Sequence, residues 1–185
     1  MKRFSLAFLL LTIAAAAAVA QDSDRGVVDA NNTLSSKLGR FSVVLPTGFG
    51  PFTFVNPPKT TAEDPQINQY SSDSSRGTWM IAYYDISAQV MAAKTTQQIL
   101  NEGRDGAVKG VTGAVLKRDD AVTVDGFPAK SFYVEIPNSG KPIYARFVYI
   151  LSKSRVYNCL FLSTDEAELY KPDVKKYFDS FHIAN

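Results

Sequence analysis

The second half of the sequence contains consecutive strand-like segments that are separated only by short turn-forming connectors. These segments are Ala114–Arg118 with Ala121–Val124 as one long or bent strand, Ala129–Ile136, Pro142–Leu151 and Val156–Ser163. The connectors are rich in Asp, Gly, Pro, Asn and Ser, and connectors this short join neighbouring antiparallel strands. The pattern therefore predicts a four-stranded antiparallel meander. Towards its end, the third strand has apolar residues at both odd and even positions, which indicates a central strand covered on both faces.

Earlier strand segments and two helical segments complete the predicted fold. The strand segments are rich in β-branched and aromatic residues and cover Arg40–Leu45, Phe52–Val55, Ile67–Ser71 and Thr78–Ile86. Between Ser87 and Gly110 the apolar residues recur at helical spacing, and an N-cap at Thr95 or Thr96 can divide this stretch in two. Its three glycines predict a close approach between the helix backbone and a sheet.

The last helix is predicted to begin near Pro172 and to carry a buried stripe. The residues of this stripe are Tyr170, Val174, Tyr177, Phe178 and Phe181. The order of strands, helix, strands and helix predicts an α+β fold, in which an antiparallel β-sheet is flanked by helices on both faces as an α/β/α sandwich.

The N-terminus predicts export. Lys2 and Arg3 precede an uncharged apolar run, and small residues follow up to Ala20, which is typical of a signal peptide over residues 1–20 cleaved before Gln21. The alternative is an uncleaved membrane anchor. We expect a disordered leader over the polar residues 21–38, one domain over 39–185, no stable membrane insertion after cleavage, and a periplasmic or extracellular location. Asn31 begins an N-glycosylation sequon, which matters only if the source glycosylates.

The charge balance bears on possible partners. The full chain has 20 basic and 18 acidic residues, and removal of the signal peptide, which holds Lys2 and Arg3, leaves 18 of each. A mature domain without net charge has no overall field that would attract nucleic acid or anionic lipid. Nucleic acid is therefore not expected among its partners.

The sequence nominates no catalytic residue, metal ligand or cofactor site. The only cysteine, Cys159, lies in a predicted buried strand and is interpreted as a core residue, the alternative being a nucleophile that a nearby His or Lys activates. The only histidine, His182, is interpreted as a surface or packing residue. Asp119 and Asp120 are strand neighbours, so their carboxylates should point to opposite faces and should not converge.

Several short segments match one known group of proteins. They are Phe41–Pro46 followed by Gly48-Phe49, Arg104–Gly106, Val124–Lys130, Arg155–Tyr157 and Tyr177–Ile183. In these segments the chain resembles the PsbP-like superfamily over residues 39–183, and especially its exported bacterial members. The resemblance implies an antiparallel sheet with helices on both faces. It also implies non-catalytic work, because the better-known members support the photosystem II oxygen-evolving complex or bind the GTPase Ran.

Two functional hypotheses follow, and a structural role as a cell-envelope component is also compatible with the sequence. The first is an exported, non-catalytic binding or accessory module that engages a protein partner in the periplasm or cell envelope. The second is a small-molecule-binding or hydrolytic domain with an anion-accepting cleft near Arg104 and Arg146, with Tyr133 and Tyr144 on its wall. A simpler interpretation of Arg146 is a cross-strand ion pair with Glu135. The oligomeric state is left open by the sequence.

Overall fold

The computed structural model describes residues 25–59, 61 and 64–184, so the predicted signal peptide lies outside the described residues. Within them the strands are β1 (Val27–Val28), β2 (Thr33–Ser36), β3 (Phe41–Val44), β4 (Thr53–Val55), β5 (Asn68–Ser74), β6 (Gly77–Asp85), β7 (Val115–Val124), β8 (Phe127–Ile136), β9 (Ile143–Ser152), β10 (Arg155–Ser163) and β11 (His182–Ile183). The helices are α1 (Ala88–Ala93), α2 (Thr96–Lys109), a 3-10 helix (Glu166–Tyr170) and α3 (Pro172–Asp179).

Seven of these strands form one antiparallel sheet in the order β4-β5-β6-β10-β9-β8-β7. The chain enters through the β4-β5-β6 hairpins and crosses by α1 and α2 to the opposite edge. It then returns through β7, β8 and β9 until β10 pairs with β6. The predicted meander and the α+β class are confirmed. The predicted burial of the third meander strand is confirmed as well, since residues 147–151 of β9 are all buried.

The prediction of a disordered leader over residues 21–38 is wrong for the part that forms β1 and β2. These strands join β3 and β11 in a second, smaller sheet in the order β1-β2-β3-β11. Leu34 is fully buried in the core. The Ser36 hydroxyl is satisfied by the Tyr70 hydroxyl at 2.8 Å. The strand β2 is thus buried through one leucine and a hydrogen-bonded serine. Because most of its residues are polar, the sequence did not predict that it is folded.

Alternate residues of the central strands enter two separate core clusters. Trp79, Ile81 and Tyr83 belong to the first cluster, which also contains residues of β3 and α3. Met80 and Tyr84 belong to the second cluster, which also contains the buried residues of α2. Neighbouring residues of a strand point to opposite faces, so the two clusters cover opposite faces of the seven-stranded sheet. We refer to them below as the first and second faces.

The end of α1 and the start of α2 are set by local sequence. Thr95 caps α2, accepting a hydrogen bond from the backbone N–H of Gln98, whose side chain accepts one from the Thr95 N–H in return. The predicted break in the helical stretch is thereby confirmed. Within α2, a Cβ on Gly103 would lie 3.0 Å from Cδ1 of Tyr149 in β9. This contact is the close approach of helix to sheet that the glycines predicted.

None of the described helices combines the length and apolar character that a bilayer span requires.

Candidate functional site

The structure separates the two arginines that the sequence placed in one cleft. Arg146 lies opposite Tyr133 in the β8–β9 register, on the first face. Arg104, on α2, bonds to Asp119, and Asp119 lies opposite Phe132 on the second face. Because Phe132 and Tyr133 are strand neighbours, their side chains point to opposite sides of the sheet. A cleft shared by Arg104 and Arg146 therefore does not form.

Arg104 belongs to a compensated ionic cluster on the second face. Its Nε and Nη2 donate to Oδ1 of Asp105 at 2.8 and 2.6 Å, and its Nη1 bonds to Asp119. Asp119 also accepts from Nζ of Lys130 at 2.8 and 3.0 Å. The Lys130 side chain is only 7% exposed, so this lysine is a buried cation held by a neighbouring carboxylate.

The pKa values in this cluster follow from its geometry. Burial alone would raise the pKa of the Asp119 carboxyl, but the hydrogen bonds from Lys130 and Arg104 outweigh burial and hold that pKa below its usual value. Burial likewise opposes the charged form of Arg104, yet its bonds to Asp105 and Asp119 raise the pKa of its guanidinium. Every charge of this cluster is balanced locally, which is the mark of a structural ion network.

Arg146 has different surroundings. Its guanidinium carbon lies 4.2 Å from the ring centroid of Phe178 and 5.5 Å from that of Tyr133. Its Nε is buried without a hydrogen-bond partner among the described residues, and no carboxylate of that part of the chain forms an ion pair with it. Arg146 is therefore a half-buried cation, placed between aromatic rings, whose charge has no ion-pair partner among the described residues and whose Nε is closed off from solvent.

The predicted Arg146–Glu135 pair is wrong. The register aligns Glu135 with Tyr144 and Arg146 with Tyr133, so the two charged residues are not directly opposed. Glu135 instead accepts from Nζ of Lys117 at 2.8 Å. Tyr144 packs against the first core cluster and does not line the groove at Arg146, whereas Tyr133 does.

A groove of about 510 Å³ runs over the first face beside Arg146. It is bordered by β7, β8, β9, the 3-10 helix and α3. Its charged residues are Arg118, Asp120, Arg146, Lys175 and Asp179, and its aromatic residues are Tyr133, Tyr170 and Phe178. Two of the three cations are already paired, Arg118 with Asp120 and Lys175 with Asp179. The charged lining residues therefore leave one positive charge in excess, on Arg146.

Tyr170 forms an exposed aromatic wall of this groove. Its ring stacks on that of Tyr133 at 6.0 Å with an interplanar angle of 12°, and the residue is 60% exposed. The prediction that Tyr170 belongs to the buried stripe of the last helix is wrong. The extended backbone of Lys171 separates the 3-10 helix from α3, so the helical spacing does not continue back to Tyr170.

Of the other residues that the sequence singled out, Asp120 lines the groove, whereas Cys159, His182 and Asp119 do not. Cys159 is buried, and burial raises the pKa of its thiol, as expected of a core residue. His182 is exposed and its Nδ1 lies 3.0 Å from Oδ2 of Asp125. Asp119 and Asp120 lie opposite Phe132 and Ser131, on different faces, so they do not converge. The described residues contain no group of three or more potential metal ligands.

Comparisons with known proteins bear on the fold. No protein-family model matches the sequence, and no curated protein matches it significantly. The structure is similar to cyanobacterial PsbP (CyanoP) from Synechocystis sp. PCC 6803, with 11% identity over 80% of this chain and 89% of that one and a TM-score of 0.55.

Two further solved structures are similar. One is a protein from Bacteroides thetaiotaomicron VPI-5482, with 9% identity, 87% of this chain and 48% of that one covered, and a TM-score of 0.50. The other is LpqN of Mycobacterium tuberculosis, described as involved in cell envelope biogenesis, with 14% identity, coverage of 74% and 93%, and a TM-score of 0.47. At these identities the similarity concerns the fold alone. The resemblance noted in the sequence is confirmed at that level, and the chain has the PsbP-like fold.

Proposed function

We propose that this protein is an exported, non-catalytic accessory module of α/β/α architecture that binds a protein partner through the groove at Arg146. The export pattern of residues 1–20 supports a periplasmic or extracellular location, and the PsbP-like fold supports an accessory role. The groove supplies the contact site. The single observation that carries the proposal is the half-buried guanidinium of Arg146, which lies between aromatic rings and forms no ion pair with any described residue.

The chemistry of the groove favours a carboxylate as the group that is bound. One uncompensated positive charge among the lining residues matches a monoanion rather than a doubly charged phosphate. A planar guanidinium binds a carboxylate through two parallel hydrogen bonds. The rings of Tyr133 and Phe178 hold the guanidinium plane in place and offer apolar contact to the atoms next to the carboxylate.

The open form of the site favours a segment of protein over a small molecule. The groove passes from the half-buried guanidinium of Arg146 to the exposed ring of Tyr170, and its apolar lining includes Val122 and Val148. Such a surface can hold a carboxylate at one end and an aliphatic or aromatic side chain at the other. The hypothesis of a cleft with both Arg104 and Arg146 is abandoned, because Arg104 is fully paired on the opposite face.

Nuclear magnetic resonance on the exported protein tests the proposal through the Arg146 Nε–H signal. The probes are an apolar hexapeptide with a free C-terminal carboxylate, the same peptide as its amide, an amide that contains one internal Glu, and inorganic phosphate. We expect at least one carboxylate peptide to shift the Arg146 signal and to bind about tenfold or more tightly than the plain amide. The two carboxylate peptides distinguish a C-terminus from an acidic side chain as the source.

A pair of matched variants localises the effect. Arg146→Gln should reduce peptide binding to the level of the amide, whereas Arg104→Gln, which removes the same charge on the opposite face, should leave binding unchanged. Binding of phosphate with equal or greater affinity than the peptides would overturn the protein-partner proposal in favour of a small anion. Failure of all four probes to shift the signal would overturn the assignment of the groove as a binding site.

A further inference from the structure

The strand β7 is a long and exposed sheet edge. It spans ten residues and, among the described residues, pairs with β8 on one side only, since it is the last strand in the sheet order. The opposite edge strand, β4, has three residues. Of the seven large hydrophobic residues that are exposed in the described chain, three lie on β7: Val115 at 51%, Leu116 at 37% and Val122 at 36%. A long edge strand with exposed apolar residues is a template for pairing with another strand unless it is covered or protected.

The sequence of this edge is complementary to itself when reversed. Residues 115–122 comprise two apolar, two basic, two acidic and two apolar positions: Val115, Leu116, Lys117, Arg118, Asp119, Asp120, Ala121 and Val122. In an antiparallel pairing of two such strands, apolar residues would face apolar residues and basic residues would face acidic ones. Opposite charges and β-branched residues in facing positions each stabilise a strand pair.

A β-bulge makes this pairing consistent with the faces of the sheet. Leu116 lies opposite Val134 and Arg118 opposite Tyr133, so Lys117 is an extra residue in β7. Because of that extra residue, Val115 and Val122 lie opposite Glu135 and Ala129, which point to the same face. Directly opposed residues of an antiparallel pair must share a face. In an unbulged strand Val115 and Val122 would point to opposite faces, and this pairing could not form.

The two-fold axis of such a pair would pass near Asp119. Counted from this residue, Val115 faces Val122 of the other copy, and the bulge residues Lys117 and Arg118 together face Asp120. The only like-charge approach is Asp119 against its own copy, and each of these carboxylates is already balanced by Arg104 and Lys130. The register centred on Asp119 therefore places apolar residues against apolar residues and basic residues against acidic ones at the same time.

From these observations we propose that two copies of this chain associate through their β7 strands, antiparallel and in the register centred on Asp119, to form one continuous sheet. The interface is isologous, as two-fold symmetry requires. It does not depend on the proposed carboxylate site. However, β7 also borders the groove, so the two grooves lie side by side across the axis. Charged residues and a bulge on an edge otherwise serve to keep a chain monomeric, and that is the rival interpretation.

A charge-swap experiment tests the register. The mass of the exported protein is measured by sedimentation and light scattering at about 100 μM, alone and in mixtures, with circular dichroism to verify folding. We expect the natural protein to have twice the monomer mass, and Asp120→Lys and the double variant Lys117→Asp, Arg118→Asp to be monomers. Mixing the two variants should restore the dimer, because basic then faces acidic at both ends of the strand. Asp73→Lys, an exposed charge reversal on β5, should stay dimeric.

Cysteine cross-linking gives a second measurement that does not rely on charge. In a double variant Val115→Cys, Val122→Cys, oxidation should join two copies, since these positions face each other across the axis. Leu116→Cys with Val122→Cys, out of register by one residue, should cross-link far less. A natural protein that is monomeric at 100 μM, or charge variants that remain dimeric, would overturn the proposal. Arg146→Gln should remain dimeric even where it abolishes peptide binding, which separates this inference from the carboxylate site.

Discussion

Arg104 and Arg146 lie on opposite faces of the same sheet and have opposite electrostatic surroundings. Arg104 has two carboxylate partners, one of which also neutralises the buried Lys130. Arg146 has aromatic rings on its flanks and no carboxylate among the described residues. The comparison shows that charge type and burial do not distinguish a structural arginine from a candidate binding arginine. The distinguishing property is whether the fold already supplies the counter-ion.

Among changes to the surroundings of the two arginines, the largest expected effect concerns the compensated face. Asp119→Ala leaves the buried Lys130 and the partly buried Arg104 without their shared carboxylate, and loss of one partner of such a network costs far more than a surface ion pair. We expect a loss of about 2 to 3 kcal/mol in the free energy of unfolding, measured by urea denaturation at a fixed submicromolar concentration. The control is Asp120→Ala, the neighbour on the other face, whose pair with Arg118 is more exposed. It should cost less than about 0.5 kcal/mol. Equal effects of the two variants would refute a structural role for the Arg104 cluster.

The pH dependence of the same pair gives the second prediction. The folded-state pKa of Asp119 is held below its unfolded value, so its stabilising contribution is complete above the unfolded pKa of about 4. That contribution disappears as the pH falls through the lower, folded-state pKa. The stability difference between the natural protein and Asp119→Asn should therefore be constant from pH 7 to about pH 5 and should shrink below about pH 4. Urea titrations at several pH values measure it, and a difference that is unchanged at pH 3 would contradict the assigned network.

The sequence predicted the meander because its information is local. Turn residues between 125 and 128, and again between 137 and 141, fix hairpins, and alternation fixes the faces of the strands. The strands β1, β2 and β11 were missed because they are only two to four residues long, and β11 in addition pairs with β3 from the far end of the chain. The β-propensity of so few residues cannot outweigh the polar composition of the segment that contains β1 and β2. Only the tertiary contacts of Leu34 and Ser36 show that this segment is folded.

The sequence predicted only the part of the candidate site that lies on neighbouring strands. Arg146 and Tyr133 were nominated together and are neighbours across β8 and β9. The separation of Arg104 from them could not be predicted, because the face of the sheet on which a helix packs is not encoded in the period of that helix. Phe178 and Tyr170 reach the groove from segments more than twenty residues further along the chain. The bulge between Leu116 and Arg118 in β7 could not be predicted either, because it depends on the pairing of β7 with β8.

Replacing each arginine separately by methionine, a neutral residue of similar length, sharpens the comparison between Arg104 and Arg146. Arg104→Met removes two ion pairs that are partly exposed and should cost about 1 kcal/mol in the free energy of unfolding. Arg146→Met removes a buried donor without a partner and two cation–π contacts, and these effects oppose each other. We therefore expect a change within about 0.5 kcal/mol for Arg146→Met, together with loss of carboxylate-peptide binding. Thermal and urea unfolding measure the first quantity. A larger destabilisation by Arg146→Met than by Arg104→Met would reverse the assignment of roles.

A modest effect on stability is expected at the rim of the groove. Tyr170 is exposed and its main contact is the stacked ring of Tyr133, so Tyr170→Ala should change the free energy of unfolding by no more than about 1 kcal/mol. Tyr177→Ala is the contrasting control, because Tyr177 is fully buried and donates a hydrogen bond to the carbonyl of Met80 at 2.8 Å, and its truncation should cost about 3 kcal/mol or more. If the groove binds the apolar part of a partner segment, Tyr170→Ala should still weaken peptide binding severalfold. A variant that keeps both stability and peptide affinity would remove Tyr170 from the site and confine binding to the guanidinium of Arg146.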